Sequence, residues 1–258
     1  MATDLVYGLH AVLSLLERRP ESVSSLSVQE GRRDARLAQV LTLAKGHGIG
    51  YREQSARALT ALTDGAAHQG VVAHVRPAEP LPESALADRI SKASAAGRIP
   101  LVLVLDGVLD PHNLGACLRT ADATGIDAVI APRDRAAGLT AVARKVAAGA
   151  AESVPFVQVT NLARCLEGLK ALNLWVVGAA ADASMSVYEA DLTGPIALVL
   201  GGEGQGLRRL TRERCDLMVK LPLAGSVASL NVSVATGALL YEAVRQRTAQ
   251  LAAKQQSP

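Results

Sequence analysis

Three stretches gather the polar residues whose types and spacing could do chemistry: Asn113 and Arg119 in DPHNLGACLRTADATG, Glu203 in VLGGEGQGLRRL, and Ser229 and Asn231 in LPLAGSVASLNVSVATG. In the second, Gly201, Gly202, Gly204 and Gly206 surround the glutamate directly after an apolar run. Glycine has no Cβ and tolerates φ > 0, so a glycine-rich turn lets a ligand or a second backbone come close. A tight connection explains one or two such residues, not four. Triphosphate binding is not expected, because Leu207 and Arg208 stand where a phosphate-cradling loop needs Lys and Ser/Thr. A dinucleotide fingerprint, counted from Gly202 or Gly204, lacks its third glycine.

The elements that must position these residues are apolar strands alternating with helical segments. IPLVLVLD, DAVIAP, VPFVQV, LWVVGA, IALVLG and LMVKLP read as strands; NLGACLRTADATG, LTAVARKVAAGA, NLARCLEGLKAL, LRRLTRERC and SLNVSVATGALLYEAVRQR read as helices. Such alternation predicts an α/β domain with a parallel sheet covered on both faces, and ligands bind such sheets beyond the carboxyl ends of the strands. All three loops fall at that edge. His112 and Asn113 are expected just before a helix, with Asn113 as a plain N-cap and Arg119 as an ordinary exposed residue on the structural alternative. Gly115 is expected to admit something close to the helix's first turn.

Composition supports that fold class. Apolar residues make up 49% and aromatics 2%, so the core is built from Ala, Val and Leu, as suits buried parallel strands. The net charge of +3 says little about nucleic acid, although local basic surface is compatible with it. Cys117, Cys165 and Cys215 form no C-x-x-C pair, so no metal site and no disulfide framework is expected. No apolar run approaches a bilayer span, and the N-terminus lacks a leader pattern; a cytoplasmic protein without membrane contact is expected. The proline-rich RPAEPLPESA places a linker at residues 77–97, with a short amphipathic helix in it, between a small αβ domain (1–76) and the sheet domain (98–258). The small domain carries four histidines, expected to be structural, and Arg32, Arg33 and Arg36, which mark either a solvated helix start or an RNA phosphate contact.

NLGACLRTA, LGGEGQGL and LPLAGSVASLNVSVATG, in this order, closely resemble the three motifs of the SpoU branch of the SPOUT RNA 2'-O-methyltransferases. VYGLHAV, HQGVVA, KVAAGAAESVPFVQVTNLAR and LYEAVRQR extend the resemblance over nearly the whole chain, toward the bacterial members that act on a guanosine of 23S rRNA. The resemblance implies a C-terminal deep trefoil knot, a homodimer that completes each site, and a small N-terminal RNA-binding domain of ribosomal-protein type. It implies S-adenosylmethionine as cofactor, held by main chain at Gly201, Leu221 and Leu230, and 2'-O-methylation of a guanosine ribose in the peptidyl-transferase region of 23S rRNA. Arg119 is then the catalytic candidate, as base or as electrostatic stabiliser, with Asn113, Glu203, Ser229 and Asn231 around it. A tRNA 2'-O-methyltransferase and a nucleotide-dependent oxidoreductase are the alternatives. Leu221-Pro222-Leu223 stands where Ile-Pro-Met is frequent and Gly202 where Ala or Ser is common; neither change removes a functional group.

Overall fold

Short apolar runs and capped helices build two compact units, one reaching to Glu79 and including Ala148–Ser153, the other formed by Pro80–Ala147 and the chain from Val154 onward. The computed structural model describes residues 4–76, 78–204 and 206–256.

In the first unit the chain runs β1 (Asp4–Tyr7), α1 (Leu9–Arg18), β2 (Val23–Gln29), α2 (Ala35–Gly46), β3 (Tyr51–Gln54), α3 (Ala56–Leu62) and β4 (Val71–Val75). The sheet order is β1-β4-β2-β3, with β3 parallel to β2 and the other pairs antiparallel. Its core holds Leu16, Leu26, Leu37, Val40, Val71 and Val75. Asp34 caps α2 by accepting from the Arg36 and Leu37 N–H groups, each at 3.1 Å. Arg32 binds the Asp34 carboxylate and donates to the Gln69 carbonyl at 2.7 Å, so this arginine of the basic cluster holds a turn, while Arg33 and Arg36 remain exposed. His74 sits against the Ser27 hydroxyl at 2.8 Å, and burial holds its pKa below the ordinary value.

The second unit begins before residue 98. Of the expected linker, Pro77 lies outside the described residues; α4 (Ala85–Ala95) follows, and its Leu86 and Ile90 lie in the same core as Val102, Val104 and Val157. Then come β5 (Leu101–Asp106), α5 (Pro111–Ala123), β6 (Ala128–Pro132), α6 (Ala141–Ala147), α7 (Ala150–Ser153, part of the first unit), β7 (Phe156–Val159) and α8 (Leu162–Ala171). The remainder is β8 (Trp175–Ala179), β9 (Met185–Ser186), β10 (Ile196–Gly201), α9 (Arg209–Glu213), β11 (Leu217–Lys220) and α10 (Val232–Gln256). The sheet is seven-stranded, in the order β7-β6-β5-β10-β8-β11-β9, and parallel throughout. β5 and β10 occupy its middle and are buried along their length, apart from Gly201, which explains their unbroken apolar composition. They end in register, Gly201 opposite Asp106, and so deliver two of the three loops side by side. At the opposite edge Arg247 donates to the Ile99, Pro100, Leu192 and Gly194 carbonyls over 2.6–3.2 Å, fastening α10 to the sheet. Among the described residues no helix is long and apolar enough to cross a membrane.

Candidate active site

The loop after β5 enters α5 through Asp110, whose carboxylate accepts the His112 N–H at 2.9 Å, with Pro111 in the first turn. His112 and Asn113 therefore lie inside the helix rather than before it, and Asp110 is the cap. Relieved of capping, the Asn113 amide turns to the other loops. Its Nδ2 donates to Glu203 Oε1 at 2.8 Å, and its Oδ1 accepts from Asn231 Nδ2 at 3.0 Å. Asn231 Nδ2 also donates to Glu203 Oε1 at 3.0 Å. One carboxylate oxygen thus gathers two amides from residues 90 and 28 positions away. Asn231 Oδ1 accepts the Ser233 N–H at 2.9 Å, which fixes the amide at the start of α10.

Close backbone packing brings the Glu203 turn to this place. A Cβ on Gly202 would lie 2.2 Å from the Gly107 carbonyl oxygen, and one on Gly201 would lie 2.0 Å from the Gly206 carbonyl carbon. The Gly202 N–H donates to the Asp106 carbonyl at 2.9 Å. These two glycines are therefore needed for chain lying against chain. Behind them Asp106, 1% exposed, accepts the Arg208 N–H at 2.8 Å and faces Arg208 Nε at 3.4 Å; a buried carboxylate requires such partners. Sequence reasoning missed this pair, whose signal is an acidic residue closing the otherwise apolar IPLVLVLD. Gly115 admits a close neighbour as expected, and that neighbour is α6: a Cβ there would meet the Ala143 carbonyl oxygen at 2.5 Å and Val146 Cβ at 2.7 Å, so it serves the packing of α6 on α5.

The other expected residues make no side-chain hydrogen bond to this cluster among the described residues. Arg119 is exposed and, among the described residues, has no hydrogen-bond or ion-pair partner. It lies six residues beyond Asn113, about 9 Å along the helix and about a third of a turn round it. Ser229 is exposed and precedes α10 rather than opening it. Leu221 and Leu230 bound the loop between β11 and α10, and Gly201 ends β10 at the same edge. The thiols lie elsewhere: burial pushes Cys117 and Cys215 up to about 11 and Cys165 up to about 12. Among the described residues no group of three His, Cys, Asp or Glu side chains could hold a metal ion.

Known proteins resemble this chain in sequence and in fold. A family profile described as the SpoU rRNA methylase family matches residues 100–241, and one described as RNA 2'-O ribose methyltransferase substrate binding matches residues 5–81. The chain is 54% identical to a Pseudomonas putida protein named 23S rRNA (guanosine-2'-O-)-methyltransferase RlmB, over 95% of this chain and 97% of that one. In structure it is similar to the SpoU methyltransferase AviRb from Streptomyces viridochromogenes, crystallised with the cofactor AdoMet, at a TM-score of 0.71 and 28% identity over 96% of this chain and 91% of that one. The A. aeolicus TrmH/SpoU tRNA modifying enzyme is similar at a TM-score of 0.55 and 30% identity, over 64% of this chain and 86% of its own.

Proposed function

The chain belongs to the SpoU rRNA methylase family, and on that premise we propose that it methylates the 2'-hydroxyl of a guanosine ribose in the peptidyl-transferase region of 23S rRNA, using S-adenosylmethionine. The observation that carries this is the joining of Asn113, Glu203 and Asn231 from three loops, in a chain matched nearly end to end by a relative named for that reaction. The tRNA alternative draws on a neighbour that spans 64% of this chain, whereas the substrate-binding profile and the rRNA relative extend over the first unit as well.

The carboxyl edge of the sheet fits a nucleoside cofactor. Among the described residues, 221–230 make no main-chain hydrogen bonds, which leaves their peptide groups to a ligand, and Leu223, Val227 and Leu230 expose apolar surface beside them. Gly201, Leu221 and Leu230 would hold the cofactor there through main chain. Once bound, it supplies an electrophilic methyl group. A ribose hydroxyl is a weak nucleophile at neutral pH, so the protein must stabilise its anion or take its proton. Glu203 orders the two amides that face the ribose. Ser229 and Asn231 contact the nucleotide. Arg119, whose guanidinium stays protonated, holds the target phosphate and stabilises the developing alkoxide.

Since Arg119 is exposed and, among the described residues, makes no hydrogen bond or ion pair with the cluster of its own chain, the site is complete when Arg119 of the partner subunit enters it. Exposed Leu109 before α5 and exposed Val234 and Tyr241 on one face of α10 offer apolar surface for that homodimer. The close packing of Gly202 and Arg208 on Gly107 is where we place the family's knot. The first unit grips structured rRNA, and the reaction runs in the cytoplasm without metal or membrane. Calorimetry with S-adenosylhomocysteine and NADH, followed by methylation of in vitro transcribed 23S rRNA and tRNA, tests the assignment. It predicts binding of the first ligand alone and transfer to 23S rRNA; binding of NADH or transfer only to tRNA contradicts it.

A further inference from the structure

Beyond β6, the loop RDRAAG at residues 133–138 takes no part in the methyl transfer, yet three hydrogen bonds hold its main chain. The Arg133 N–H donates to the Val159 carbonyl and the Ala137 N–H to the Val108 carbonyl, each at 2.8 Å. Arg208 Nη2 donates to the Arg135 carbonyl at 3.2 Å. Arg135 itself is in the left-handed region, φ 56°, which a non-glycine residue adopts only where its surroundings impose it. The same Arg208 pairs with Asp106, and Gly202 packs on Gly107. The loop is thereby clasped to the two segments that carry Asn113 and Glu203.

What this clasp presents is charge. Arg133, Asp134 and Arg135 are all exposed, and among the described residues neither arginine has a side-chain partner. Asp134 offsets one of the two positive charges, and the nearby Arg208 is already engaged by Asp106. Two free guanidinium groups carried by a held loop at the edge of a candidate site suit an anion with several oxygens, since the planar fork bonds phosphate with two parallel N–H groups. We propose that Arg133 and Arg135 form a phosphate-binding site that grips the backbone of the RNA substrate beside the target nucleotide. This rests on the rRNA methyltransferase assignment. The loop adds a hold within the catalytic unit to the one supplied by the first unit.

The test measures binding of the full chain to in vitro transcribed 23S rRNA over a series of salt concentrations. Each neutralised phosphate contributes about 0.7–0.9 to the slope of log affinity against log salt, so Arg133→Gln with Arg135→Gly, which removes one phosphate contact, should lower the slope by about 0.7–0.9 and weaken binding several-fold at low salt. Arg135→Gly tolerates the left-handed backbone, so it removes the charge without disturbing the loop. Unchanged affinity for S-adenosylhomocysteine verifies that the cofactor loops are intact. Arg135→Lys should keep the slope while losing part of the affinity. If wild type methylates 23S rRNA but the double variant keeps its slope, the phosphate site is overturned alone. Wild type that neither binds nor methylates 23S rRNA overturns the assigned function and this site with it.

Discussion

On the proposed function Arg119 is the residue that stabilises the developing alkoxide, and its lack of a partner among the described residues is what makes that role testable. Arg119→Lys keeps the charge but loses the planar set of donors. Methyl transfer should fall at least about a hundredfold, the scale of losing one preorganised electrostatic contact, while S-adenosylhomocysteine affinity stays unchanged; single-turnover methylation beside calorimetry reads both. The three cysteines give a prediction of the opposite kind. With thiols pushed up to about 11 or 12 by burial, they should resist alkylation at pH 8 until the chain is unfolded. Above the ordinary thiol value of 9.0 the unfolded chain ionises first, so stability should decline as pH climbs from there toward 11–12, as denaturant midpoints at successive pH values would record. Glu203 and Asn231 were legible because their motifs place them in loops after strands. The release of Asn113 was not, since it depends on Asp110 taking the cap. Nor was the Asp106–Arg208 pair, whose partners lie 102 positions apart.

At the scale of elements, the glycine-rich turn after β10 is the feature the sequence made most conspicuous, and the structure assigns its glycines unequal duties. Gly202→Ala puts a methyl 2.2 Å from a backbone oxygen that has no rotamer to move to, so the turn must shift. We expect a loss of about 1–3 kcal/mol, the usual cost of overpacking, together with a drop in methyl transfer as Glu203 is displaced. Gly194→Ala, with nothing within 4 Å, is the control and should leave the unfolding midpoint within about 0.5 kcal/mol of wild type. The long apolar strands β5 and β10 were plain from their composition. β1 and β3 were not: each has four residues, and β3, with Tyr51, Arg52 and Glu53 exposed, shows no apolar alternation. Strand order was equally hidden, because parallel strands buried on both faces carry similar runs, and nothing local says that β10 inserts between β5 and β8.

For the whole molecule, the boundary between the units matters because it decides what can be cut. Leu86 and Ile90 of α4 belong to the core of the second unit, although the prolines ahead of them read as a spacer. A fragment of residues 80–258 should fold and bind cofactor but methylate rRNA poorly without the first unit. One starting at residue 98 should be less stable by about 3 kcal/mol or more, since each buried Leu or Ile side chain contributes about 1.5–3 kcal/mol; urea unfolding of the two fragments checks this. Ala148–Ser153 packs in the first unit, so the longer fragment also exposes Ala150 and Ala151. If the three loops methylate a ribose of 23S rRNA, the 2'-O-methyl groups mapped in the rRNA and tRNA of a deletion strain will show it. One 2'-O-methylguanosine should be lost from the peptidyl-transferase region of 23S rRNA, restored by the wild-type chain and not by Arg119→Lys. An unaltered 23S rRNA, with the missing methyl group found in a tRNA, would contradict it.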